Sequence, residues 1–171
     1  MKEQIKQISI LLGFIVLVVG GLVWFGSGNP KNDTPTASIN NKFSGVLTLK
    51  ESKYDFGFIS MASGKVNKEF ILENQSNGDV QIGTVYTSCM CTVAELMVGD
   101  QFSGPFGMQG HGIALKANLV VKPGEKLIVK TTFDPAAHGP AGVGPIEREI
   151  AIFTSAAKDP IILGFKAVVK P

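Results

Sequence analysis

An antiparallel β-sandwich of about seven strands, preceded by one N-terminal transmembrane helix, is the all-β fold that this 171-residue chain predicts. Three observations carry it. Short apolar/polar alternations recur along the chain and are punctuated by Gly, Pro and Asn turns. No 3.6-residue apolar stripe appears after the first 25 residues. Those first residues hold one long apolar run.

That run, Ile8 to Phe25 (ISILLGFIVLVVGGLVWF), is 18 residues without a charge. As a helix it spans about 27 Å, close to the roughly 30 Å of a bilayer's hydrocarbon core. Lys2 and Lys6 precede it and the next positive charge is Lys31, so residues 1–7 are expected in the cytoplasm. The run exceeds a usual signal-peptide core, and no small-x-small site follows closely, which favours an uncleaved signal anchor over 8–25. The expected location is therefore the cell membrane, single-pass, with the C-terminal domain outside the cytoplasm. Residues 26–42, rich in Asn, Thr, Ser and Pro, read as a flexible tether.

Residues 43–171 are the size of a single-core domain. Val66 to Glu73 alternates and ends in Asn74-Gln75-Ser76-Asn77-Gly78-Asp79, a dense turn signal, after which Val80 to Tyr86 resumes. Pro123-Gly124-Glu125 turns the chain into Leu127, Val129, Thr131 and Phe133 on one face. Ile146, Ile150 and Ile152 alternate with Glu147, Glu149 and Ala151. After Asp159-Pro160, the residues Ile161, Leu163, Phe165, Ala167 and Val169 form the last apolar face. One stretch breaks the rhythm: a Gly/Met/His-rich loop at about 97–112, long for a compact domain. Ile113 to Val121 is expected to return as a strand.

Composition narrows function by exclusion. Sixteen basic and 14 acidic residues leave a net charge of +2, with no electrostatic footprint for nucleic acid. There is no Gly-x-Ser-x-Gly elbow, His-Glu-x-x-His helix, phosphate loop or dinucleotide fingerprint. The chain is read as a binding module and not as an enzyme.

The chemistry concentrates at Cys89-Met90-Cys91, the only cysteines. On an extended strand their Cα atoms would lie roughly 6.6 Å apart, at the outer edge for a disulfide. The pair therefore reads as a chelate or a reactive dithiol sooner than as a structural bridge. His111 and His138 lie in Gly/Pro loops, and Met108 precedes His111. Cys89, Cys91, His111, Met108 and His138 make a soft N/S set suited to copper, with zinc less favoured. Loops at one end of a sandwich converge, which would bring the three segments together. Two other readings stand beside it. A redox-active dithiol is the first, although no basic residue flanks the pair in sequence to activate a thiol. The second is a metal-free structural or protein-interaction domain of the cell envelope, with the cysteines as small hydrophobes at a strand end and Met90 as core filling.

Tyr54-Asp55-Phe56-Gly57, Phe70-x-Leu72-x-Asn74, Thr87-Ser88-Cys89-x-Cys91-Thr92, Pro123-Gly124-Glu125 and Thr132-Phe133-Asp134 occur in that order. Over roughly Val46 to Val169 this resembles the bacterial domain-of-unknown-function family 1573. The resemblance implies an immunoglobulin-like sandwich similar to hydin-type and major-sperm-protein-type domains, and, by analogy, a binding or assembly role. The chain departs from the family pattern at Met90, where glycine is commoner, and in the lengthened 99–112 segment. The expected partners are the membrane, a metal ion and an envelope protein.

Overall fold

The computed structural model describes residues 45–111 and 116–171. The expected cytoplasmic segment, membrane anchor and tether lie outside these residues. Among the described residues no helix is long and apolar enough to cross a membrane.

The chain forms ten strands among the described residues: β1 (Leu47–Leu49), β2 (Lys53–Ser60), β3 (Val66–Asn74), β4 (Val80–Thr87), β5 (Thr92–Val98), β6 (Gln101–Phe106), β7 (Lys116–Val121), β8 (Lys126–Phe133), β9 (Gly144–Thr154) and β10 (Ile161–Lys170). They assemble as two five-stranded sheets, β1-β3-β8-β5-β6 and β2-β10-β9-β4-β7. All pairings are antiparallel except β2 with β10, which run parallel. The sandwich is thus as expected, but with more strands and one parallel edge.

The apolar faces of the alternating segments become the core. Leu127, Val129, Thr131 and Phe133 are all buried, as are Leu163, Phe165, Ala167 and Val169. Burying alternate residues of both sheets against each other is what makes the sandwich stable. Phe133 of one sheet meets Phe165 of the other with ring centroids 5.4 Å apart. Phe56 adds an edge contact to Phe165 at 5.5 Å.

One local expectation needs correction. The 97–112 segment is not one long loop: Gln101–Phe106 pairs back onto β5 as β6, with Val98 opposite Gln101. Gly99, at φ 55°, starts the tight turn, a conformation glycine adopts without steric cost. Asp55-Phe56-Gly57 forms a kink inside β2. Gly57 has φ 66°, its N–H donates to Asp55 Oδ1 at 2.8 Å, and the pairing with β10 shifts register there. The Gly57 N–H and the neighbouring Lys166 hold the Asp55 carboxyl below its ordinary value.

A continuous core within residues 47–169 implies that the domain needs no membrane segment to fold. A fragment beginning at Lys42 is expected to be soluble, with a far-ultraviolet circular dichroism spectrum of β type. A predominantly helical spectrum from that fragment would contradict the sandwich.

Candidate functional site: the Cys89-Met90-Cys91 turn

β4 ends at Thr87 and β5 begins at Thr92, so the cysteines fall in the turn that carries the chain between sheets. The Thr92 N–H donates to the Cys89 carbonyl at 3.1 Å, closing a four-residue turn. The flanking residues of the motif hold this turn in place. Thr87 Oγ1 lies 2.9 Å from the Cys89 carbonyl and 3.0 Å from that of Thr92. Ser88 clamps onto β9, donating its N–H to Glu149 O and accepting from Glu149 N, both at 2.9 Å. Asp134 N–H donates to Cys91 O at 2.9 Å. Hence the Thr87 and Ser88 hydroxyls shape backbone, while Thr92 Oγ1 lies 3.7 Å from Cys91 Sγ.

The turn brings the two cysteine Cα atoms to 5.3 Å, and the sulfurs are joined as a disulfide. This corrects the expectation of an unbridged chelate. That expectation assumed an extended backbone, whereas a turn shortens the separation into the usual bridging range. Met90, at the tip, is 58% exposed and fills no core. Cys91 is only 3% exposed, while Cys89 is half-buried.

Of the two histidines, one reaches the cysteines. After β8, Pro135 is buried and Asp134 Oδ1 accepts the N–H of Ala136 at 2.9 Å, shaping a loop that places His138 over the turn. His138 Nε2 lies 3.3 Å from Cys89 Sγ. The ligand atoms of Cys89, Cys91 and His138 all fall within 4.8 Å of one another. His111 is exposed and falls outside that group. Met108, half-buried, approaches through backbone: it bridges Thr87, and Thr87 N–H donates to Gly107 O at 3.0 Å.

Arg148 is the residue that sequence reading missed. It lies on the inward face of β9, in phase with Ile146, Ile150 and Ile152. Its Nε donates to Cys91 Sγ at 3.2 Å, and its Nη1 to Glu147 O at 2.8 Å. The signal was present as a charge standing in the apolar phase of a strand. No basic residue is adjacent to the cysteines in sequence, yet the fold supplies one against each sulfur. Glu147 and Glu149 point outward, as alternation requires.

Fold and site together define an immunoglobulin-like β-sandwich with a cationic disulfide turn at one end. Residues 47–99 match the family model described as "Protein of unknown function (DUF1573)", so the family resemblance is found over that stretch. The match takes in the Tyr54, Phe70 and Cys89 motifs and stops before Pro123. No curated protein matches the chain. Among solved structures, a protein of unknown function from Porphyromonas gingivalis W83 superposes with a TM-score of 0.55 at 16% identity, covering 78% of this chain. The chain spans 50% of that protein's length. The ASH/PapD-like domain 7 of human CEP192 aligns at 9% identity with a TM-score of 0.45, covering 72% of this chain and 84% of that domain. The secreted serine protease VesC of Vibrio cholerae aligns at 13% identity and 0.45, covering 72% and 23%. These likenesses concern the fold.

Proposed function

We propose that this chain is a membrane-anchored, extracytoplasmic module whose Cys89–Cys91 pair works as a thiol–disulfide switch. The observation that carries this reading is the placement of His138 and Arg148 against the two sulfurs. The Arg148 guanidinium beside Cys91 favours the reactive thiolate there. A structural staple has little to recommend it here. A bridge closing a three-residue loop stabilises by only about 1.6 kcal/mol in the chain-entropy model, against roughly 3 kcal/mol for a loop of 15. Placement outside the cytoplasm, expected from the 8–25 segment, would keep the resting pair oxidised.

The test is a redox titration of the full-length chain in glutathione buffers, with free thiols counted by alkylation and mass. The pair is expected to open and close reversibly without unfolding. A disulfide that resists reduction until the domain is denatured would refute the switch.

A second reading, favoured by the Cys89/Cys91/His138 cluster, is that the reduced pair takes a soft metal, Cu(I) before Zn(II). The reduced chain is then expected to bind one Cu(I). Cys89→Ser and Cys91→Ser should each abolish binding, and His138→Ala should weaken it. Thiols that alkylate at the same rate with and without copper would exclude this reading.

The row Ile71, Ile128, Met97 and Phe102 runs in register across β3, β8, β5 and β6 on the outer face. Ile71, Met97 and Phe102 are exposed. Its exposure supports a protein partner in the envelope.

A further inference from the structure

The two sulfurs of the disulfide are not equivalent, and we infer a direction for its opening. This inference rests on the thiol–disulfide reading above. It assigns Cys89 as the sulfur attacked, Cys91 as the leaving sulfur and Arg148 as the group that holds the leaving thiolate.

Access decides the first point. Cys91 is 3% exposed and lies among the core residues, with its sulfur against Arg148. Cys89 is half-buried and borders the exposed His138. An incoming thiolate must approach the sulfur it attacks, and the rate depends on which sulfur is open and how well the other leaves. Only Cys89 meets the first requirement. Cys91 meets the second, because Arg148 Nε–H already points at its sulfur from 3.2 Å. A charge-assisted hydrogen bond strengthens as negative charge develops on the acceptor. A guanidinium does not lose its proton, so its contribution is constant with pH.

A thiol R–SH loses its proton to solvent, and its thiolate attacks Cys89 Sγ. The Cys89–Cys91 bond breaks and its electron pair passes to Cys91 Sγ, leaving a thiolate on Arg148. Cys89 then carries the mixed disulfide with R. A second thiolate, its proton likewise lost to solvent, attacks the sulfur of R, releasing R–S–S–R and a Cys89 thiolate that takes a proton from solvent. In sum the protein gains two electrons and one proton, carried on Cys89, while Cys91 stays a thiolate on Arg148; two thiols become one disulfide and the other proton goes to solvent. The substrate class is therefore a small thiol or an exposed cysteine of a peptide.

The experiment uses oxidised full-length chain and glutathione. Samples are quenched with acid at short times and the modified cysteine is located by peptide mass mapping. Glutathione is expected on Cys89. An adduct on Cys91 would overturn the assigned direction while leaving the exchange reading intact. Neither opening nor adduct in the native chain would refute the exchange reading itself. Arg148→Gln should slow opening by about tenfold or more, from the loss of one hydrogen bond to a developing charge. Arg148→Lys should restore part of the rate. The slope of rate against pH should be unchanged in both variants, since the guanidinium does not titrate. Equal rates in wild type, Arg148→Gln and Arg148→Lys, all folded by circular dichroism, would remove Arg148 from the mechanism.

Discussion

Asn74→Ala should lower the stability of the domain by about 2–4 kcal/mol, the cost of leaving buried carbonyl groups without donors. Asn74 is fully buried. Its Nδ2 donates to Gly78 O and to Val121 O, both at 2.8 Å. Its Oδ1 accepts from Ser76 Oγ at 2.6 Å and from Ser76 N at 3.2 Å. Its backbone pairs with the Gly124-Glu125 turn, donating to Glu125 O at 3.0 Å and accepting from Gly124 N at 2.7 Å. One side chain thus ties the β3–β4 turn to the end of β7, a strand of the opposite sheet. Asn74→Asp is the sharper variant, because it places carboxylate oxygens against two carbonyls. Protonation would return one donor, so the folded-state pKa of the new acid should be raised. Its penalty should therefore be full near neutral pH and shrink as pH falls through that value. Urea unfolding with an unchanged m-value checks both variants.

Phe165→Ala should cost about 3–5 kcal/mol, the range for truncating a fully buried phenylalanine. Phe165 is 1% exposed and is the centre of a three-ring cluster with Phe56 and Phe133. Because Phe133 belongs to the other sheet, the cavity would open at the interface between layers, where neighbouring side chains are fixed by both sheets and cannot collapse inward. The control is Phe58→Ala. Phe58 is 70% exposed, with the Lys170 ammonium 3.9 Å above its ring. An exposed cation–π contact is worth roughly 0.5–1 kcal/mol, so that change should be small. Comparable losses at Phe58 and Phe165 would mean that the layer assignment is wrong.

The motifs spread along the sequence meet in space at two places. Asn74, from the Phe70-x-Leu72-x-Asn74 run, bonds the Pro123-Gly124-Glu125 turn. Cys91 and Thr92 meet Phe133 and Asp134. Alternation alone could place Leu72, Leu127 and Phe165 inside, because a strand's period of two is a local property of the backbone. It could not pair β2 in parallel with β10, since that register is set by residues more than 100 positions apart. The β5–β6 hairpin was hidden for a different reason. Gln101 to Phe106 contains two turn-forming residues, Gly104 and Pro105, and its burial pattern is mostly exposed, so no apolar rhythm marked it.

What the sequence determined by itself was the β character of the domain, the inward faces of its main strands, and the one segment where sulfur chemistry is concentrated. These follow from nearest-neighbour rules: side-chain alternation, turn-forming residues and the rarity of cysteine. What only the tertiary structure decided was the state and surroundings of that sulfur pair. A turn in place of a strand shortens the Cα separation to 5.3 Å and lets the sulfurs bond. Residues 57 and 49 positions away bring a guanidinium to one sulfur and an imidazole to the other. Electrostatic and hydrogen-bond contacts act over a few ångströms of space, whatever the distance along the chain.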